Sequence, residues 1–165
     1  MDIGQPVTHV SEKVCPVIHT YHVGAVDSKT KATLSPDQNT PGQSVISGEN
    51  GSKISCSVKG SGGNFKFSGT LSAVTSEGDP ISIQITNGVI GPDFMGTGDV
   101  SVYTPQLSAQ FTSTMSCTFA VQNMQVKGGS LWAIFQCAQI ETPPSGLCGI
   151  LGPSSAIVFE NCSGS

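Results

Sequence analysis

The residues of this sequence that could do covalent or metal chemistry are its cysteines and histidines. Cys15 precedes His19 and His22, and a thiolate beside an imidazole is the arrangement of a Cys–His nucleophile. That chemistry needs a free thiolate, which six disulfide-prone cysteines do not favour. The spacing of His19 and His22 puts metal ligands on one face of a helix but on opposite faces of a strand, and this segment is typical of a strand. We therefore predict no catalytic residue and no metal site here.

The cysteines instead predict a disulfide framework. None forms a CxxC pair or has a histidine at zinc-ligand spacing, so a zinc ribbon or finger is not expected. Disulfide connectivity does not follow from sequence alone, but local spacing favours one set of pairs. These pairs are Cys148 with Cys162, Cys117 with Cys137, and Cys15 with Cys56.

Two of these pairs rest on local features. Cys148 and Cys162 flank a segment with glycine and proline that can fold back and tie down the C-terminus. Cys117 and Cys137 flank Gly128-Gly129, which is typical of a tight hairpin turn. A turn centred there would put Cys117 opposite a residue near position 140, a few residues away from Cys137.

Carboxylates are sparse, and no catalytic or cofactor motif accompanies them. Five acids lie in or beside predicted loops: Glu49, Glu77, Asp79, Asp93 and Asp99. Several of these with backbone carbonyls could bind calcium, although the EF-hand spacing is missing. We predict no other cofactor, because the GxSxG, HExxH, P-loop and dinucleotide patterns are also missing.

Trp132 and Tyr103 are the aromatic residues with the chemistry of a binding site. An exposed Trp132 could stack on a sugar ring or anchor a partner protein. The alternative is that Trp132 fills a second core layer, since Ile134 shares its face. The strand that carries Trp132 and Ile134 is apolar on both faces, which indicates a central strand or one packed on both sides.

The elements that would position these residues are strands. Apolar and polar residues alternate with period two, the signature of half-buried antiparallel strands, and no long segment has helical period. The clearest alternating segments are 54–58, 65–72, 81–86, 117–122 and 131–137. We predict an all-β fold of about eight or nine strands in two packed antiparallel sheets, a disulfide-stabilised sandwich or jelly-roll-like fold.

The first third of the chain shows less regular alternation of apolar and polar residues. Residues 1–13 are predicted to be a flexible lead-in, and 14–26 a first strand. Residues 27–51 are polar and turn-rich, which indicates a long loop region. We expect one β-sandwich domain over 14–165.

Composition excludes several classes of function. Charged residues are 11% of the chain, the net charge is -4 and arginine is missing, so nucleic-acid binding is not expected. No apolar run is long enough to span a membrane. Disulfides predict an extracytoplasmic location: secreted, periplasmic or lipid-anchored at the cell surface. No leader is visible, so Met1 would then replace one that had been removed.

Four segments carry a resemblance to a known group: 65–71, 98–105, 132–137 and 159–162. Over about residues 52–162 the chain resembles small cysteine-bearing surface or lipoprotein domains of myxobacterial type. The resemblance implies an exported bacterial β-domain, and it supplies no catalytic residues.

These observations predict a non-enzymatic extracytoplasmic β-sandwich module with a structural, adhesive or partner-binding role. Its partner would be a protein or glycan at the cell surface. A carbohydrate-binding module is the alternative, and it predicts Trp132 or Tyr103 exposed on a sheet face or loop. A jelly-roll hydrolase or lyase is less expected, and it predicts a cleft where His19 or His22 meets an acid from a distant strand.

Overall fold

The structure, a computed structural model, shows only β-strands, turns and bends in the part of the chain that it describes. That part comprises residues 2–3, 21–22, 26–27, 32–33, 52–74, 80–103, 110–113, 115–142 and 146–163. The strands are β1 (Asp2–Ile3), β2 (Tyr21–His22), β3 (Val26–Asp27), β4 (Ala32–Thr33), β5 (Lys53–Ser61), β6 (Asn64–Val74), β7 (Pro80–Ile90), β8 (Met95–Tyr103), β9 (Phe111–Ser113), β10 (Cys117–Lys127), β11 (Ser130–Thr142) and β12 (Gly146–Phe159). No helix long and apolar enough for a membrane crossing occurs among these residues.

The predicted alternation is present in several of the eight strands from β5 to β12. Along β6, for example, buried and exposed residues alternate from Phe65 to Val74. A two-residue turn at Gly62 and Gly63 joins β5 to β6, and both glycines have positive φ, at 59° and 84°. Positive φ at both central residues matches the right-handed twist of a hairpin and suits glycine. An all-β antiparallel fold is therefore confirmed.

Strands β5 to β12 form one antiparallel meander in which neighbours in sequence are neighbours in space. The order across the sheet is β5, β6, β7, β8, β10, β11 and β12, followed by β1 and β2. The short strand β9 pairs with the same two neighbours as β10, namely β8 and β11. Strands β9 and β10 therefore act as one strand that is interrupted at residues 114–116.

The two ends of this meander meet through the last residues of the described chain. After β12 the backbone returns to β5, where Ser163 and Ser57 form a parallel bridge. The Val58 N–H donates to the Ser163 carbonyl at 3.1 Å, and the Ser163 N–H donates to the Cys56 carbonyl at 3.0 Å. Gly129, in the β10–β11 turn, donates to the Val58 carbonyl at 3.0 Å and accepts from Cys162 at 2.9 Å. We call this junction the seam.

Because of the seam, the sheet is nearly barrel-shaped rather than the clear two-sheet sandwich that we predicted. Short hairpins keep successive strands in one sheet, and the right-handed twist of each strand coils that sheet. Alternating strands with tight turns are common to both architectures. The backbone pairing between residue 163 and β5 decides between them.

The inside of the curled sheet is a continuous apolar core. Phe67 and Phe119 pack edge to face with ring centroids 5.0 Å apart, and Phe119 stacks with Phe135 at 5.5 Å. Phe159, the last residue of β12, is 2% exposed and lays its ring over the backbone of Gly69 on β6. A side chain at Gly69 would occupy the space of that ring, so the glycine is what permits this contact.

Two disulfides connect strands of the described part, and no cysteine whose side chain the structure describes is free. Cys117 and Cys137 join β10 to β11 with a Cα–Cα distance of 4.2 Å, which confirms that predicted pair. Cys56 is bonded to Cys162 across the seam, with a Cα–Cα distance of 4.8 Å. The predicted pairs of Cys15 with Cys56 and of Cys148 with Cys162 are therefore wrong, because the closure of the sheet brings Cys162 to β5. Cys15 and the side chain of Cys148 lie outside the described residues.

The predicted lead-in over 1–13 and the predicted loop over 27–51 fall mostly outside the described residues. Within them the structure describes β1, whose Asp2 pairs with Ala156 of β12. It also describes β3, which pairs with β4 in a separate two-stranded sheet. Both disulfides fit an oxidising, extracytoplasmic environment.

Candidate functional site

The outer face of β5 to β9 is an uncharged polar surface for much of its extent. One row of cross-strand neighbours crosses five strands, each partner directly opposite the next. Its members are Ser55, Thr70, Gln84, Ser101 and Thr112. The Ser101 and Thr112 hydroxyls are 3.2 Å apart and share a hydrogen bond. This face meets water through hydroxyl and amide groups, which agrees with the low charge of the chain.

The outer face changes from polar to apolar at β8, β10 and β11, where three apolar residues lie in one cross-strand row. Ala120 of β10 pairs with Met95 of β8 on one side and with Ile134 of β11 on the other. Met95 is 49% exposed. Thr118 and Gln136, the next cross-strand pair on this face, are exposed and polar. The Thr118 hydroxyl donates to the main-chain carbonyl of Gln136 at 3.4 Å.

A shallow depression lies over this row, with a volume of about 220 Å³. Its walls include Met95, Ala120 and Ile134 on the apolar side and Thr118 and Gln136 on the polar side. None of these five side chains is charged. We call this feature the outer depression. It is smaller than the roughly 300–1,000 Å³ that is usual for small-molecule sites, so its size suits one or two side chains of a partner better than a whole metabolite.

Trp132, the first residue predicted for binding, lies two positions from Ile134 on the same outer side of β11. Its neighbours Leu131 and Ala133 belong to the interior core, and Trp132 does not. Trp132 is nonetheless only 7% exposed, and its Nε1 atom has no hydrogen-bond partner among the described residues. The indole therefore offers little free ring surface to a ligand in this conformation.

Tyr103, the second residue predicted for binding, is half-buried at the far end of β8. It pairs with Ser82 of β7. Met95 begins the same strand, so at about 3.3 Å per residue Tyr103 lies roughly 26 Å from the outer depression. Trp132 is near the depression and Tyr103 is not, so the sheet does not bring the two aromatic residues into one site.

Asp99 is the centre of a polar cluster on the outer face. Its Oδ2 atom accepts a hydrogen bond from Asn87 Nδ2 at 2.8 Å, and its Oδ1 atom accepts one from the Ser116 hydroxyl at 3.1 Å. Asn87 has a positive φ of 54° at the point where the β7–β8 register shifts. Ser116 lies in the interruption between β9 and β10. The carboxylate thus fixes two irregular segments of backbone.

Replacing Asp99 by alanine is expected to lower the free energy of unfolding by about 1–2 kcal/mol, since two hydrogen bonds to a carboxylate are lost at a partly exposed site. Chemical denaturation of D99A, S116A and the double variant measures this. We expect the two substitutions to be non-additive by roughly 0.5 kcal/mol or more, because they remove the same contact. Fully additive losses would contradict the cluster.

The other residues considered for chemistry are not brought together in the described part. His19, Glu49, Glu77 and Asp79 lie outside it, as does the side chain of His22. Asp93 is exposed and accepts a hydrogen bond from the Met95 N–H at 3.2 Å, which holds its turn. Among the described residues, no group of three or more His, Cys, Asp or Glu could hold a metal ion. The calcium site stays a prediction.

The sequence did not predict the outer depression, although it indicated that one side of it, on β11, is apolar. The apolar outer side of β11 is visible in the sequence as Trp132 and Ile134. Met95 follows a turn, and only the register of β8 against β10 places it beside Ala120. No local pattern around Met95 carries that information.

Comparisons of the chain with protein-family models, curated proteins and solved structures find no match. The resemblance to exported lipoprotein domains therefore stays a prediction.

Proposed function

We propose that this protein is a non-enzymatic extracytoplasmic binding module, and that its outer depression docks an uncharged, partly apolar segment of a partner protein. The observation that carries the proposal is the apolar row at Met95, Ala120 and Ile134, which lines the depression beside the polar pair Thr118 and Gln136. The two disulfides support the location, since they are stable in an oxidising compartment.

The chemistry of the partner follows from the walls of the depression. Burial of an aliphatic or aromatic group against the apolar side chains of the depression contributes a hydrophobic free energy of about 25 cal/mol per Å². The Thr118 and Gln136 side chains offer hydrogen bonds but no charge. A charged partner group would lose its hydration there without gaining an opposite charge, which is costly. A neutral polar and apolar segment is the best fit.

Carbohydrate binding remains the second candidate, with Trp132 and Tyr103 as the residues that would stack on a sugar. It has less support because stacking needs an exposed ring face, and Trp132 is 7% exposed. A hydrolase or lyase would depend on His19 or His22, whose side chains lie outside the described residues.

Replacing Met95 by aspartate is expected to weaken partner binding about tenfold or more, because it puts an unpaired charge on the apolar floor. Peptides selected from a random displayed library against the oxidised protein serve as probes, and their dissociation constants are measured for each variant. We expect the selected peptides to be rich in uncharged, apolar residues. The matched control is Val74→Asp, since Val74 is 51% exposed and lies on β6, outside the depression.

Three results would overturn the proposed docking site. They are a failure to select any peptide, equal binding by M95D, or an equal loss of binding in V74D. A glycan array probed with the same variants tests the second candidate. Sugar binding that quenches Trp132 fluorescence and survives M95D would favour the carbohydrate module instead.

A further inference from the structure

The two disulfides of the described part differ sharply in their exposure. Cys117 and Cys137 are both 0% exposed and belong to the interior core. Cys56 and Cys162 are only partly buried, and they pack against that core without being enclosed in it. A thiolate can attack a disulfide only where it can reach a sulfur atom. The two bonds are therefore unequal targets for any thiol in the surrounding solution.

The bonds also differ in what they hold together. Cys117 and Cys137 lie side by side in two strands that are already paired through β10–β11 hydrogen bonds. Cys56 and Cys162 are 106 residues apart in sequence, and they join the edge strand β5 to the end of the described chain. The noncovalent contacts at the seam include the backbone bonds of Ser163 and Gly129 and a Ser163 hydroxyl bond to the Cys56 carbonyl at 3.1 Å.

We propose that Cys56–Cys162 is a site of thiol–disulfide exchange with an external dithiol, and that its opening releases residues 161–163 from β5. The inference is independent of the docking function proposed above. The dithiol is the reductant, and a small molecule or a dithiol oxidoreductase supplies the same chemistry. Cys117–Cys137 stays oxidised under the same conditions because its sulfur atoms are enclosed in the folded protein.

The reaction is balanced by the two electrons that the dithiol supplies. Its first thiolate attacks one sulfur of the pair, forms a mixed disulfide and displaces the other cysteine as a thiolate, which takes up a proton. The second thiol of the reagent then attacks the mixed disulfide as a thiolate. This releases the remaining protein cysteine as a thiol and leaves the reagent as a cyclic or intramolecular disulfide.

Opening the bond changes the edge of the sheet. With residues 161–163 released, the Val58 N–H and the Cys56 carbonyl lose their partners in Ser163. These groups point outward from the edge strand, where an unpaired edge accepts a further strand. Exchange at Cys56–Cys162 thus converts the nearly closed sheet into one with an open edge.

The test is reduction of the oxidised protein by dithiothreitol without denaturant, followed by quenching, alkylation and peptide mapping by mass spectrometry. We expect Cys56 and Cys162 to be labelled at least about tenfold faster than Cys117 and Cys137. Labels on Cys15 and Cys148 are counted separately. Simultaneous labelling of both pairs, or earlier labelling of Cys117 and Cys137, would overturn the proposal.

Amide hydrogen exchange supplies a second readout that does not depend on labelling. Exchange at Val58 should become at least about tenfold faster when the bond opens, while amides in β7 and β8 keep their protection. The C56S/C162S variant should show the same fast exchange without any dithiol. Unchanged protection at Val58 in this variant would mean that hydrogen bonds alone hold the seam, and would contradict the proposed release.

Discussion

Replacing Cys56 and Cys162 together by serine is expected to lower the free energy of unfolding by about 4 kcal/mol. The bond closes a loop over a sequence separation of 106 residues, and a cross-link of roughly 100 residues contributes about 4.7 kcal/mol in the chain-entropy model. A typical domain has about 5–15 kcal/mol in total, so this is a large share. Denaturant unfolding measures it. We also expect a steeper dependence on denaturant, because the unfolded chain expands further without the cross-link.

The matched control for this prediction is Ser163→Ala. This variant keeps the disulfide and removes the hydroxyl that donates to the Cys56 carbonyl. Its expected cost is about 1 kcal/mol or less, as for one exposed hydrogen bond. If C56S/C162S lost no more than S163A, the cross-link would not restrict the unfolded state, and the seam would be held by its hydrogen bonds.

Replacing Gly69 by alanine is expected to cost about 2–4 kcal/mol, which is large for one added methyl group. The new Cβ atom would overlap the ring of Phe159, which is 2% exposed and packed in the core. Overpacking of a dense core commonly costs about 1–3 kcal/mol, and displacement of a whole aromatic ring belongs at the upper end. The measurement is thermal and denaturant unfolding of the purified oxidised protein.

A double-variant cycle identifies the cause of that loss. Phe159→Leu alone should destabilise the protein by leaving space in the core. Combined with G69A it should cost less than the sum, because the smaller side chain makes room for the new methyl group. Thr70→Ala, at the neighbouring exposed position, is the control and should stay within about 0.5 kcal/mol of the parent protein. Additive losses would show that the backbone at Gly69, rather than the ring, resists substitution.

The strands were predictable because they depend on local alternation, whereas the closure of the sheet was not. Segments such as 65–71 and 81–85 specify a half-buried strand by themselves. Whether the first and last strands then meet depends on the coiling of the whole sheet. The bond between Cys56 and Cys162 is a consequence of that closure, so the spacing of the cysteines could not identify it.

For the pair Cys117–Cys137, one register shift changes the residue opposite Cys117 from the one expected by counting outward from the hairpin turn. Near the Gly128-Gly129 turn the register is the expected one, with Val126 opposite Leu131. Counted outward without interruption, that register would place Cys117 near position 140. A register shift between Val121 and Val126 changes the pairing, so that Thr118 lies opposite Gln136 and Cys117 beside Cys137. Nothing in the alternation marks this shift.

The candidate site was only partly predictable, because part of it also depends on the register between strands that are distant in sequence. The apolar outer side of β11 follows from Trp132 and Ile134, which alternate with core residues. The partners that complete the outer depression, Met95 and Ala120, come from strands whose alignment across the sheet depends on long-range register. The burial of Trp132 also depends on its surroundings in the folded sheet and not on its own strand.

The tie between Cys56 and Cys162 determines how the molecule carries mechanical tension. A pull applied at residues 52 and 163 passes along the backbone to residue 56, crosses the covalent bond and leaves through residue 162. The intervening loop, which contains almost all of β5 to β12, lies outside that path. A force that would separate the hairpins of an open meander therefore does not load these strands while the bond is intact. The outer depression is carried on the part of the chain that does not stretch.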